Sequence, residues 1–218
     1  MPPNQFVLAF DTSAAHCAVS LFIDGKCFDQ RIEPMNKGQA ERLFPLCEEV
    51  LNLAGISWQN LDAIGVCVGP GNFTGVRVGV SAARGLSLSL KKPAIGISRL
   101  EAMALDSKGK VSVIMDARRG NVYLQDFLDG TALTKPSIIN IKSIDHSINT
   151  IMSEDDKNID LFKNSKSPIC ILPSAVARLA IDKIGLKNSR PAPLYLQEPN
   201  ADLPKEQPPK IITLNEML

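Results

Sequence analysis

Hydrophobic and polar positions come in blocks along the first hundred residues, and the period changes from block to block. Phe6–Phe10 is an apolar run that stops at Asp11-Thr12-Ser13. Cys17–Ile23 and Lys26–Ile32 follow, parted by Asp24-Gly25, a dipeptide that suits a tight hairpin. Three strands in a meander are predicted. After Pro34–Gly38 the period lengthens: Leu43, Leu46, Cys47, Val50, Leu51 and Ala54 recur at helical spacing and predict a helix over Gln39–Ala54. Pro45 falls on its polar side with Glu41, Glu48 and Asn52, and predicts a kink or a start one turn later. A strand Leu61–Val68, a glycine turn, a helix Thr74–Leu90, a strand Pro93–Ile97 and a short helix from Ser98 or Arg99 to Leu105 complete an α/β unit.

The polar stretch Asp106–Lys110 divides the pattern into two domains, 1–107 and 108–218. Beyond it Val111–Met115 ends at Asp116, a strand Asn121–Phe127 follows the link Ala117–Gly120, and Asp129-Gly130 turns the chain. The same supersecondary unit thus begins twice, about a hundred residues apart. The second half is less regular, with a strand Ile138–Ile141, a helix Ser143–Met152, a strand Pro168–Leu172 and a helix Ala175–Ile184. Six of the fifteen prolines fall between Pro191 and Pro209, which predicts an extended, poorly ordered tail with a short strand at Leu194–Gln197.

The turn and helix at Gly69–Leu90 concentrate the candidate chemistry. Strand, glycine turn and helix can offer backbone N–H groups to a phosphate. Gly69-Pro70-Gly71-Asn72-Phe73-Thr74 puts Thr where the third glycine of a dinucleotide fingerprint belongs, and the lysine of a Walker loop is missing. Structural use is the reading favoured: Thr74 as N-cap, with Gly75 and Gly79 letting the helix lie close to a neighbour. At 100° per residue, Gly75, Val78, Gly79, Ala82, Leu86 and Leu90 form one face and Val76, Val80, Ala83 and Ser87 the adjoining one. Only Arg77, Ser81, Arg84 and Leu88 lie opposite, so the helix is apolar over most of its circumference. The preceding helix has surplus as well, in Phe44 and Leu53. A helical subunit interface is therefore expected, carried by Leu43, Phe44, Leu46, Cys47, Val50, Val76, Gly79, Val80, Ala83 and Ser87.

Asp11 and Asp116 each close a first strand. Such carboxylates either hold a metal-bound water for phosphoryl chemistry or simply cap the next turn. Their equivalent placement keeps both readings open, with Asp11, Thr12, Ser13 and Asp116 as nucleotide-facing candidates. His16 and His146 are the only histidines and make no H-x-x-x-H pair, so no metal site is expected. The five cysteines show no C-x-x-C spacing and read as buried free thiols of a cytoplasmic protein. A net charge of +1 gives no global attraction for nucleic acid, and no long apolar run predicts a membrane span.

GPGNFTGVRVG at Gly69–Gly79, IGISRLEAMA at Ile95–Ala104, AERLFP at Ala40–Pro45 and VIMDARRGNVY at Val113–Tyr123 together resemble the TsaB family, relatives of TsaD in the actin-like ATPase (ASKHA) superfamily. Phe6–Ser13 and Pro193–Leu196 match as well, and nearly all of the resemblance lies before Phe127. It implies an α/β fold of two RNase H-like lobes with mixed sheets. It also implies a non-catalytic scaffold subunit of the tRNA adenosine threonylcarbamoyltransferase complex. The partners implied are a TsaD-type catalytic subunit, a TsaE-type ATPase and a second copy when alone, with tRNA reached only through the complex. No cofactor of its own is implied, although a nucleotide could lie at the subunit junction. The stretch that would face a metal-binding histidine pair reads Lys37-Gly38-Gln39-Ala40-Glu41. Asn72 stands where the family usually has Ser, and Gln197 where it usually has Arg. The alternative is an Mg-ATP hydrolase working through Asp11 and Asp116.

Overall fold

The first strand, β1 (Phe6–Asp11), feeds two cores at once because its side chains alternate between faces. Leu8 and Phe10 point into one cluster, Val7 and Ala9 into another. The computed structural model describes residues 5–144, 151–152, 165–170, 172–186 and 189–196. β1 lies at the centre of a five-stranded sheet with β2 (His16–Ile23), β3 (Lys26–Pro34), β4 (Ala63–Cys67) and β5 (Ala94–Ile97), in the order β3-β2-β1-β4-β5. The β1-β2-β3 meander is antiparallel; β4 and β5 add in parallel. Helices α1 (Gln39–Leu53) and α2 (Phe73–Leu90) cover the Leu8/Phe10 face.

The second sheet repeats this plan with β6 (Lys110–Asp116), β7 (Asn121–Leu128), β9 (Ser137–Asn140), β10 (Ile151–Met152) and β11 (Ser165–Lys166), while the two-residue strand β8 (Thr131–Ala132) also pairs with β7. Read from β9, its order is β9-β7-β6-β10-β11, with the same strand senses as in the first sheet. The repetition reaches single hydrogen bonds. Asp24 accepts from the Gln5 N–H at 2.8 Å and returns its own N–H to the Gln5 carbonyl; Asp129 does the same with Gly109. The carboxylates of Asp11 and Asp116 each accept the N–H two residues on, at 2.7 Å. Two copies of one α/β unit are what the pattern of strands predicts.

Several expectations need correction. Asn72, not Thr74, caps α2: its side chain accepts the Gly75 N–H at 3.0 Å, and the helix begins at Phe73. The helix α1 runs on through Pro45, which sits exposed within it. Ile151–Met152 is a strand rather than the end of a helix from Ser143, because Ile151 and Met152 add to β6 in parallel; residues 145–150 lie outside those described. Pro168–Cys170 form no strand, residue 171 lies outside those described, and Leu172 opens helix α4 (Leu172–Asp182). Leu194–Tyr195 forms no strand; the Leu194 N–H donates to the Val68 carbonyl, the Tyr195 hydroxyl accepts from Arg77 Nε at 2.8 Å, and Gln197 falls outside the described residues.

Helix α4 comes from the second half of the chain but packs on the first sheet. Its Ala175, Val176, Ala177 and Ala180 close the Val7/Ala9 face together with Ala63, Cys67, Ile95 and Ile97. Small residues allow this contact: a Cβ on Gly65 would lie 2.9 Å from Ala9 Cβ and 3.1 Å from Ala180 Cβ. The short helix α3 (Arg99–Ala104) joins the halves, with Leu100, Met103 and Ala104 packed against Val111, Val113, Met115 and Phe127 of the second sheet.

Candidate functional site

The end of β1, the glycine turn and the first turn of α2 are welded together. Asn72 donates its N–H to the Ser13 carbonyl at 2.6 Å, and Thr12 Oγ1 donates to the Gly75 carbonyl at 2.7 Å. A Cβ on Gly75 would lie 1.9 Å from the Thr12 oxygen, and one on Gly71 2.3 Å from that of Ser13. These approaches explain the glycines without a ligand. Three of the donors around the turn are taken within the chain: Asn72 N–H goes to Ser13, Gly75 N–H to the Asn72 side chain and Val76 N–H to the Asn72 carbonyl. A phosphate cradle made of these groups does not fit.

Asp11 and Thr12 are buried beneath this weld. The Asp11 Oδ2 atom is 2.7 Å from His16 Nε2, and its Oδ1 takes the Ser13 N–H. Burial alone would push the Asp11 carboxyl up, but the His16 hydrogen bond and the Arg99 charge outweigh it and hold the carboxyl at about 2. Burial also drives the thiol of Cys67, 3.5 Å from Ser13 Oγ, far above its ordinary range. Asp116 is the opposite case, exposed at the rim of the second sheet.

Between the two sheets lies a cleft of about 630 Å³. Ser13 and Asp116 reach it; Asp11 and Thr12 do not line it. Its other walls are Asn36, Gln39, Asn72, Phe73, Arg99, Arg118 and Tyr123, with small and apolar residues between them. Tyr123 ends the VIMDARRGNVY stretch and Gln39 lies in Lys37–Glu41, but nothing in either stretch marks the side chain as a cleft wall, and Asn36 carries no motif. Arg118 and Arg119 both have positive φ, at 65° and 54°, in the tight β6–β7 link. The cleft offers hydrogen-bond donors of both charged and neutral kinds, and a single exposed carboxylate, to a polar guest. Among the described residues no cluster of His, Cys, Asp and Glu could hold a metal.

The residues expected at a subunit interface are mostly covered by the chain itself. Leu43, Leu46, Cys47, Val50, Val76, Gly79, Val80 and Ala83 are buried between the two helices and the first sheet, so the Val76-Val80-Ala83 face turns inward and not towards a partner. Ser87 is half-buried and donates to the Lys92 carbonyl, while Phe44 remains exposed and lies 6.0 Å from the Trp58 ring. The apolar surplus on α2 is real but smaller than the helical wheel implies, because α1 and the sheet take two sides of it.

A family profile described as TsaD, tRNA N6-adenosine threonylcarbamoyltransferase, matches residues 33–177. The chain belongs to the TsaD-related TsaB family. It is 35% identical over 126 residues to the tRNA threonylcarbamoyladenosine biosynthesis protein TsaB of Escherichia coli (strain K12), covering 56% of this chain and 54% of that protein. The TsaB protein of Bacillus subtilis (strain 168) is 37% identical over 120 residues, covering 54% and 52%. The chain therefore spans about half the length of these TsaB relatives. YeaZ from Pseudomonas aeruginosa superposes with a TM-score of 0.74 at 23% identity, over 88% of this chain and 100% of that one. That likeness is one of fold, two RNase H-like lobes in the actin-like arrangement. No helix among the described residues is long and apolar enough to cross a membrane.

Proposed function

We propose that the chain is a non-catalytic subunit of the tRNA adenosine threonylcarbamoyltransferase complex, acting in the cytoplasm, with the outer side of α1 and α2 holding a TsaD-type catalytic subunit. The observation that carries this reading is the surface these helices keep once the core has closed. Leu88 is 80% exposed, Leu53 61% and Phe44 42%, and Val78, Ala82 and Leu86 are only partly covered. Gly85 lies within α2 with nothing inside 4 Å of where its Cβ would be. A glycine there costs about 1 kcal/mol relative to alanine, and no contact among the described residues uses the missing side chain. A partner helix approaching closely would use it. On the same reading a TsaE-type ATPase joins the complex, tRNA is reached only through it, and two copies associate through these helices when the catalytic subunit is missing.

Leu88→Glu and Gly85→Trp change exposed positions and leave the core alone. Each is expected to abolish co-elution with a TsaD-type partner while the variant chain keeps its circular dichroism and melting profile. Unchanged co-elution of both would sink the assignment. Mg-ATP hydrolysis through Asp11 and Asp116 is the competing reading, and it requires Asp11 to leave both His16 and the Ser13 N–H. Isothermal titration of the chain with Mg-ATP decides: tight binding, with turnover lost in Asp116→Asn, would favour hydrolysis.

A further inference from the structure

The cleft between the sheets has a rim that the helical contact leaves unused. Arg118 and Arg119 stand exposed on the β6–β7 link, and Arg118 lines the cleft. Neither side chain makes a hydrogen bond or ion pair with another described residue. The same cleft is walled by Phe73 of α2 and Tyr123 of β7, one aromatic ring from each half of the chain. Phe73 is 48% exposed, yet its ring is held in place. Arg77 Cζ lies 3.7 Å over its centroid, and the Tyr195 ring is 5.2 Å away at a tilt of 32°. A ring fixed in this way presents apolar surface that loses little freedom when something stacks on it.

The amides of the wall are only half engaged. Gln39 commits its Nε2 to the Met35 carbonyl at 3.2 Å and to Ala14, which leaves Oε1 to accept. Asn72 commits its Oδ1 to the Gly75 N–H, which leaves Nδ2 to donate. The Asn36 side chain has no bond to a described residue and offers both. Aromatic rings, an acceptor and a donor at fixed places, and unpaired arginines on the rim are the chemistry that takes a base splayed out of a single strand. The rings stack on the base, the amides meet its edge and the guanidiniums meet the phosphates.

We propose that this cleft receives one unpaired nucleotide of the tRNA, so that the chain supplies one wall of the tRNA contact inside the complex. The inference rests on the proposed function. A net charge of +1 gives the chain no wider field to hold RNA by itself, which is why the contact works only within the assembly. A free nucleotide shares the chemistry of base and phosphate, but RNA suits the site better. The glycine-turn donors that would cradle a polyphosphate are taken at Asn72, Gly75 and Val76. Asp116, the one carboxylate of the wall, repels a polyphosphate but can accept from the amino group of a base.

The test uses the full chain in complex with its TsaD-type and TsaE-type partners, and a tRNA transcript made with 4-thiouridine. Long-wave ultraviolet light is expected to give adducts on the peptide that holds Phe73 or the one that holds Tyr123, and excess AMP is expected not to displace them. Adducts only elsewhere on the chain, or adducts that AMP removes, overturn the proposal. Binding of labelled tRNA across a salt series gives an independent reading. Arg118→Gln with Arg119→Gln is expected to lower the slope of log affinity against log salt by about 1.4, at 0.7 per phosphate contact. Phe73→Leu is expected to weaken binding roughly 10-fold with the slope unchanged, because stacking is not ionic. Both variants are expected to keep the co-elution with the TsaD-type partner that Leu88→Glu loses. If they lose co-elution while tRNA affinity holds, the rim is a protein contact and the proposal falls. If the unsubstituted chain fails to co-elute, the proposed function fails. The crosslink is then read on the full chain alone at high concentration, where no adduct on either peptide overturns the RNA site as well.

Discussion

Asp11 and Asp116 occupy the same place in two copies of one motif and have become different residues. Each carboxylate caps its own turn through an N–H two positions on. Only Asp11 has been sealed in, with His16 at 2.7 Å and Arg99 nearby. Its carboxyl is held at about 2, below its usual value near 3.8, so the charged form belongs to the folded state. The stability this contributes is complete above about pH 4 and is lost as the pH falls towards 2. A shift of that size in a fully buried group is worth on the order of 2 kcal/mol. Urea unfolding of the chain from pH 6 down to pH 2 is expected to show that acid limb, and Asp11→Asn to lower the plateau and flatten the limb. The sequence made the pair of aspartates legible by their position, but not their difference. His16, five residues away along a strand start, has no motif that announces a partner.

On the scale of an element, α2 shows two kinds of glycine that one helical wheel cannot separate. Gly75 and Gly79 belong to the buried side, where a Cβ would meet Thr12. Gly85 belongs to the exposed side, where it would meet nothing. Alanine substitutions should therefore have opposite signs in the isolated chain. Gly75→Ala is expected to lower stability by about 3 kcal/mol through overpacking against backbone that cannot give way. Gly85→Ala is expected to raise it by about 1 kcal/mol. Chemical denaturation of both variants checks the pair, and equal effects would contradict the packing described. Periodicity made the helix and its apolar excess visible. It could not say that the close neighbour of Gly75 is the end of β1, because that contact spans sixty-three residues of chain. The second half was read less well for a related reason. Its short strands β10 and β11 hold two residues each, too few for a period to register.

At the scale of the whole molecule, two copies of one strand order share a boundary that the chain crosses more than once. Helix α4 returns to the first sheet, and α3 reaches into the second. Arg178 of α4 binds Asp106 through both carboxylate oxygens, and Lys183 holds Glu101 of α3 at 2.7 Å. The polar stretch after Leu105 marks where one sheet ends and the next begins in sequence, and β6 starts at Lys110 as that stretch suggests. What that local composition cannot reveal is a helix supplied from far downstream. A fragment of residues 1–107 lacks α4 and leaves Val7, Ala9, Ile95 and Ile97 without cover. It is expected to melt without a cooperative transition and to bind a hydrophobic dye, whereas the full chain unfolds sharply. A cooperative fragment would show that α4 is dispensable.

The late arrival of that helix has a consequence for the newborn protein. From the end of β5 at Ile97 to the end of α4 at Asp182 the ribosome adds about 85 residues, which at about 5–20 residues per second takes roughly 4–17 s. For that interval one face of a finished sheet waits bare in the cell, with the small residues Ala9, Ala63 and Gly65 among its surface. A holding chaperone has its window there, and slow codons in the second half would lengthen it.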